Sequence, residues 1–267
     1  MVTSWVRFSH NDVVAFGRVV GPLATDGVIE VHRGDIFANP EPTGDTLTIA
    51  EVELLTPTQP TKMIGLWNNF VASAQKNNWQ HPIEPLWFIK PTSCFLRPGG
   101  TIEPPSSYDG RVFFEGELGV VIGLEAINVA IEDADRHIFG YTCVNDVTAF
   151  GLLTSDAAFP QWCRAKSFNT FGPFGPAVTT DVDAASLTIR TTVDGRERQN
   201  YPASDMIFSP AELVHHISRD MTLYPGDVIA CGTSVGAMPM RPGSVVEISI
   251  DEVGTLSNVY GSRAEGN

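Results

Sequence analysis

Two glutamates stand two apart in the segment Phe113-Phe-Glu-Gly-Glu-Leu-Gly-Val-Val-Ile-Gly123, with Gly116 between them. In an extended strand, side chains i and i+2 share a face, so Glu115 and Glu117 point the same way. Like charges side by side, next to an apolar run, are costly unless something neutralises them. A divalent cation does this. A third carboxylate, Asp146, follows the stretch Phe139–Val144, at a strand end. Three carboxylates without cysteine or clustered histidine suit a hard ion: Mg²⁺ first, then Mn²⁺ or Ca²⁺. The competing reading puts the glutamates on the solvated face of an edge strand and makes Asp146 a turn residue after Asn145.

These carboxylates need strands to hold them, and the chain is rich in strand signals. Residues 1–58 read as a small β-rich N-terminal module. Its apolar stretches around Val13–Val20 and Val28–Val31 are separated by turn signals at Gly21-Pro22, Asp26-Gly27 and Pro40–Gly44. The segment Thr56-Pro-Thr-Gln-Pro60 reads as an extended linker. Residues 59–267 form the larger unit. Strands are expected at Met63–Leu66, Phe113–Gly123, Phe139–Val144, Asp227–Cys231 and Val245–Ile250. Val71–Trp79 reads as a short helix or a loop. Ile131–Ile138 reads as a helix, with Asn128 as its cap upstream. Ser209-Pro-Ala-Glu212 is a capping box with proline at the first helical position, which starts a helix over 210–220. Many strands and few helices predict a β-rich α+β fold with a rolled or barrel-like sheet.

The chain has 267 residues, 31 acidic against 17 basic, and a net charge of −14. That argues against nucleic-acid and anionic-membrane partners, since phosphate contacts need a basic face. It leaves room for an anionic small molecule, because a metal or a local lysine reverses the field of a pocket. No apolar run approaches the ~20 residues that span a bilayer. The N-terminus lacks the apolar stretch of a signal peptide, so a cytoplasmic location is the expectation. Cys94, Cys143, Cys163 and Cys231 form no CxxC pair and read as reduced structural thiols.

Several long motifs, in order, resemble those of the fumarylacetoacetate hydrolase family. Glu115-Gly-Glu117-Leu-Gly-Val-Val-Ile-Gly123 resembles its E-x-E strand. Gly140-Tyr-Thr-Cys-Val-Asn-Asp146 resembles its G-Y-T-x-x-N-D motif, and Lys166-Ser-Phe-Asn-Thr-Phe-Gly-Pro-Phe-Gly-Pro176 its K-S-F-D-T-F motif. Leu223–Thr233 and Gly254–Val259 resemble its C-terminal signatures. The resemblance implies a mixed β-roll, a homodimer, and a Mg²⁺ or Mn²⁺ site on Glu115, Glu117 and Asp146. It implies Lys166 against the substrate oxyanion, and Thr233, with Gly232 beside it, at the substrate carboxylate. The implied substrates are small 2-oxo or 1,3-diketo acids. A divalent ion chelated by such an acid stabilises an enolate, and Lys166 adds positive charge where negative charge develops.

The chain departs from that pattern where water would be activated. Hydrolytic members have a lid histidine, and here Gly65-Leu-Trp-Asn-Asn-Phe-Val71 puts Val71 in its place. His81 and Glu84 are a possible substitute dyad, set against capping or surface roles. Asn68 and Asn69 are candidates for substrate binding from the lid, set against a turn role. Asn169 replaces the aspartate of K-S-F-D, and Phe150 and Leu153 fall in a segment that is polar in the family.

Residues and resemblance together point to a divalent-metal-dependent enzyme acting on a 2-oxo or β-dicarbonyl acid. C–C cleavage, by hydrolysis or decarboxylation, is the first expectation. An isomerase, tautomerase or other non-hydrolytic lyase or cyclase is the alternative, and a catalytically silent metal-binding protein is the reading from another class. Gly232-Thr-Ser234-Val-Gly236 matches a nucleophile elbow, but no histidine follows His216 to complete its triad.

Overall fold

The computed structural model describes residues 2–263. The largest sheet has twelve strands, and the site lies near its middle. Gly116–Ile122 is buried at every position, as expected of a strand covered on both faces. It pairs antiparallel with Ile138–Asn145 on one side and with Val228–Ala230 on the other. Val228–Ala230 pairs in parallel with Met63–Trp67, which is followed at the sheet edge by Leu86–Lys90. A five-stranded sheet, in the order Arg196–Pro202, Thr188–Val193, Val245–Ile250, Gly254–Tyr260 and Thr101–Ile102, lies against the same central strands. Their shared core includes Leu118, Ile189, Tyr201, Ile248 and Leu256. The result is the expected β-rich α+β architecture.

The Pro210–Asp220 helix starts where the capping box requires. Glu212 Oε2 accepts from the Ser209 N–H at 2.7 Å, and Ser209 Oγ accepts from the Glu212 N–H at 3.4 Å. Leu213, Val214 and Ile217 form its buried stripe and meet Ile64, Val120 and Ile229 of the large sheet. Among the described residues, no helix is long and apolar enough to cross a membrane.

Three local expectations change, and one further strand appears. Phe113–Gly123 is not one strand: Val112–Phe114 belongs to a separate three-stranded sheet, and the chain passes into the large sheet at Glu115. Ile131–His137 is a 3₁₀ helix that begins after Ala130, with no side-chain cap. Asn128 takes a left-handed φ of 49° instead, and its N–H donates to Ser218 O at 2.8 Å. The Pro40–Gly44 segment is not simply a turn, because Glu41–Thr48 forms an outer strand on Val28–Arg33. Proline is tolerated there because an outer strand leaves N–H positions unpaired. Thr3–His10 is a strand that joins the N-terminal strands to Gly172–Thr180 of the large sheet. Its core positions, Val6 and Phe8, alternate with the half-buried Trp5, Arg7 and Ser9.

Candidate active site

The register of two strands builds the carboxylate cluster. Gly116 lies opposite Asn145 and Glu117 opposite Val144. Residues 115 and 146 therefore meet where the two strands end, and the Asp146 N–H donates to Glu115 O at 2.9 Å. Asn145 reinforces the junction by accepting from the Glu115 N–H at 3.1 Å. Glu115, Glu117 and Asp146 each bring a carboxylate oxygen within 4.8 Å of the others. Glu117 and Asp146 are fully buried, while the Glu115 side chain keeps 16% of its surface exposed and faces a cleft.

Two ammonium groups enter the cluster. Lys166, at the end of the Trp162–Lys166 helix, donates to Glu115 Oε2 at 2.7 Å and to Asp146 Oδ2. Lys90, at the end of the Leu86–Lys90 strand, donates to Asp146 Oδ1 at 2.7 Å and to the Lys166 carbonyl. With all five groups ionised, three negative and two positive charges leave one net negative charge. Burial pushes Glu117 well above the ordinary carboxylate range, and the charges of Asp146 and Glu115 push it further. Burial raises Glu115 as well, with Lys166 opposing. Burial also works to raise Asp146, but Lys166 and Lys90 outweigh it and hold this carboxyl below its usual value. Lys166 is raised despite its burial, because Asp146, Glu115 and Glu117 surround it. It is an ammonium group, a donor rather than a base.

Sequence reasoning passed over Lys90, Gln199 and Tyr201. Gly116 is enclosed by the five-stranded sheet: Gln199 Oε1 accepts its N–H at 3.0 Å, and Tyr201 Oη donates to its carbonyl. A Cβ at Gly116 would lie 2.1 Å from Thr191 Oγ1. Thr233 lines the cleft, donates to Gly116 O at 2.9 Å and accepts from Gln199 Nε2 at 2.8 Å. The Gly232 N–H donates to Glu117 Oε2 at 2.9 Å, and Gly232 has a φ of 91°, so glycine suits this turn. In this structure Gly232 therefore holds a carboxylate rather than facing the cleft.

The remaining expectations divide. Asn68 lines the cleft and donates to Gln80 O at 2.9 Å, leaving Oδ1 buried and unpartnered. Asn69 is a correction. Its amide donates to Cys231 O and Phe208 O and accepts the Phe208 N–H, so it is committed to fastening three segments. The His81 and Glu84 dyad is also corrected. Both side chains are exposed, neither lines the cleft, and Glu84 borders a separate cavity of about 270 Å³ with His216 and Asp220. Ser234 lies in no strand-to-helix elbow: a turn and the short Met238–Pro239 strand follow it.

The cleft above the cluster has a volume of about 1180 Å³. Residues 62–260 match the family model described as fumarylacetoacetate (FAA) hydrolase, C-terminal. The chain belongs to the fumarylacetoacetate hydrolase family. Residues 4–57 match a second model, described as Rv2993c-like, N-terminal. The solved structure of 2-hydroxyhepta-2,4-diene-1,7-dioate isomerase from Mycobacterium marinum is similar with a TM-score of 0.90 and 35% identity, covering 98% of this chain and all of that one. That of 5-carboxymethyl-2-hydroxymuconate delta-isomerase from Mycobacterium smegmatis gives 0.89 and 35%, covering 97% of this chain and 100% of that one. Oxaloacetate tautomerase YisK of Bacillus subtilis is 37% identical over 67% of this chain and 62% of its own length.

The chain is thus a fumarylacetoacetate hydrolase family enzyme. The family is generally dependent on a divalent metal, and the residues present fit one. The donors are all carboxylate oxygens, as Mg²⁺ and Mn²⁺ prefer. Glu117 Oε1 is buried with no hydrogen-bond partner. A buried, unpartnered carboxylate oxygen is costly by several kcal/mol at the order-of-magnitude level, and cation ligation removes that cost.

Proposed function

We propose that this enzyme is a divalent-metal-dependent isomerase of an enolisable 2-oxo acid, interconverting its keto and enol forms. The observation that carries the reading is the inventory of the cleft. Its titratable lining groups are Lys76, Glu115, Asp156 and Lys166, and no imidazole is among them. Hydrolysis needs a base to activate water. Tautomerisation adds no water to the substrate: one C–H bond breaks, one O–H bond forms, the proton passes between the two through water in the cleft, and mass is conserved.

Glu115, Glu117 and Asp146 would hold the ion. When bound, it supplies Lewis-acid polarisation of the substrate carbonyl. Lys166 keeps its proton and presents Nζ to the oxygen on which negative charge develops, an electrostatic contribution made stronger by its dry surroundings. The phenyl face of Phe88, 5.1 Å from Lys166 Nζ, shields that ammonium group from water. Lys90 fixes Asp146 from the opposite side. The names of the relatives, two isomerases and a tautomerase, agree with this reading better than with the C–C cleavage first expected.

Product analysis tests it. An enol-form 2-oxo acid incubated with the enzyme and Mg²⁺ should lose its ultraviolet absorbance while the product keeps the mass of the substrate. Release of CO₂, or of two acid fragments, at the rate of absorbance loss would replace isomerisation with decarboxylation or hydrolysis.

A further inference from the structure

The cleft is far larger than the reactive end requires. Cavities that bury drug-sized ligands run from about 300 to 1,000 Å³, and this one has about 1180 Å³. Its walls carry Trp67, Trp79, Phe88, Phe113, Phe150 and Trp162. Four of these rings make a continuous wall. Trp79 lies 4.8 Å from Trp67, Trp67 lies 5.7 Å from Trp162, and Trp162 stacks on Phe88 at 5.6 Å with 21° between planes. Phe88 in turn underlies Lys166 Nζ, so the wall begins at the catalytic ammonium group. Phe113 and Phe150 form a second pair at 4.9 Å. Phe150 is 50% and Trp79 38% exposed to solvent.

Charge along the wall points the same way. Beyond Glu115 and Lys166, the titratable groups lining the cleft are Lys76 and Asp156, one positive and one negative. Among the described residues no arginine lines it, so a distal carboxylate would find Lys76 as a single cation but no bidentate partner. Aromatic rings gain by stacking on other rings, beyond the area they bury.

Resting on the isomerase reading above, we propose that the substrate is a 2-oxo acid with an uncharged aromatic or long apolar tail. The Trp79–Trp67–Trp162–Phe88 wall selects that tail. A four-carbon diacid would leave most of the cleft, and most of its aromatic wall, facing water.

The test compares phenylpyruvate with oxaloacetate on the full chain with Mg²⁺, following enol–keto interconversion and, separately, quenching of tryptophan fluorescence. Phenylpyruvate should have the higher kcat/KM by about tenfold or more. Trp79→Ala, at a partly exposed ring, should lower that value by about tenfold and change the oxaloacetate value by less than about threefold. Equal preference, preference for oxaloacetate, or an equal loss on both in W79A overturns tail selection. Should neither acid be turned over, the isomerase reading fails by itself. Saturable quenching by phenylpyruvate alone would then still support the tail pocket, and absence of quenching would overturn it.

Discussion

Lys90 Nζ and Asp146 Oδ1 lie 2.7 Å apart with both side chains wholly withdrawn from solvent. The same ammonium group holds the Lys166 carbonyl, so one buried cation ties the metal-ligand candidate to the backbone of the lysine on its other side. Removing Lys90 leaves the three carboxylates facing Lys166 alone, and breaking a buried pair costs about 3–5 kcal/mol. Lys90→Met should therefore lower the urea-unfolding free energy of the EDTA-treated protein by that order. Lys90→Met combined with Asp146→Asn should recover part of the loss, because the cluster returns to one net negative charge while Lys166 keeps Glu115. Additive losses in the double variant would show that Lys90 acts only through its packing.

The legible part of the site lay in short contiguous runs. Glu115, Glu117, Asp146 and Lys166 follow one another at gaps of 2, 29 and 20 residues and sit in strand or helix ends whose patterns are local. Lys90, Gln199 and Tyr201 reach the same place through sheet pairing across 56, 83 and 85 residues, and no local period encodes that. The break at Glu115 was hidden for the same reason. The apolar alternation runs straight through, and only the partners Ala149 and Asn145, in different sheets, divide it. Thr3–His10 concealed its strand because only Val6 and Phe8 are buried hydrophobics there. Asn69 read as a site residue because type and neighbourhood match, while its three backbone partners are remote in sequence.

Metal should stabilise the fold by mass action. At a free ion concentration of a hundred times Kd, the gain is about 2.7 kcal/mol, which shows as a rise in Tm of several degrees. Mg²⁺ or Mn²⁺ added to EDTA-treated protein should produce it. Glu117→Gln and Asp146→Asn should each abolish most of the rise while remaining folded by circular dichroism. A full shift in both variants would place the ion elsewhere.

That affinity should depend on pH in a definite direction. Glu117 has a raised folded-state pKa because burial, Asp146 and Glu115 all disfavour its charge. Such a group stabilises the metal-free fold below the unfolded carboxylate value of about 4.3. This contribution is lost as pH rises through the raised folded value. A cation competes with the proton, so the apparent Mg²⁺ affinity should rise with pH through that window. Asp146 behaves oppositely, since its lowered pKa makes its contribution present above the unfolded value and lost as pH falls through the folded one. Calorimetric titrations at several pH values should show proton release on binding, and Glu117→Gln should flatten the dependence. Affinity independent of pH would contradict a raised Glu117 pKa at the ligand site.

Gly116 offers the sharpest test of the packing that sets the carboxylates. A methyl there would lie 2.1 Å from Thr191 Oγ1, 3.1 Å from Ile248 Cγ1 and 3.2 Å from Gln199 Oε1. Thr191 is β-branched and fully buried, so it has little freedom to turn away. The strand must then shift away from the five-stranded sheet, at about 1–3 kcal/mol for overpacking. Glu115 and Glu117 flank this residue and move with it, so Gly116→Ala should weaken Mg²⁺-induced stabilisation as well as lowering Tm. Pairing Gly116→Ala with Thr191→Ser removes a methyl but keeps the clashing hydroxyl, and should rescue only to the extent that the smaller side chain can rotate. Pairing it with Thr191→Ala removes the clash at the cost of one hydrogen bond to Gln199, and should restore the metal response more fully than it restores Tm. A metal response unchanged in Gly116→Ala would mean that the carboxylates are positioned independently of this contact.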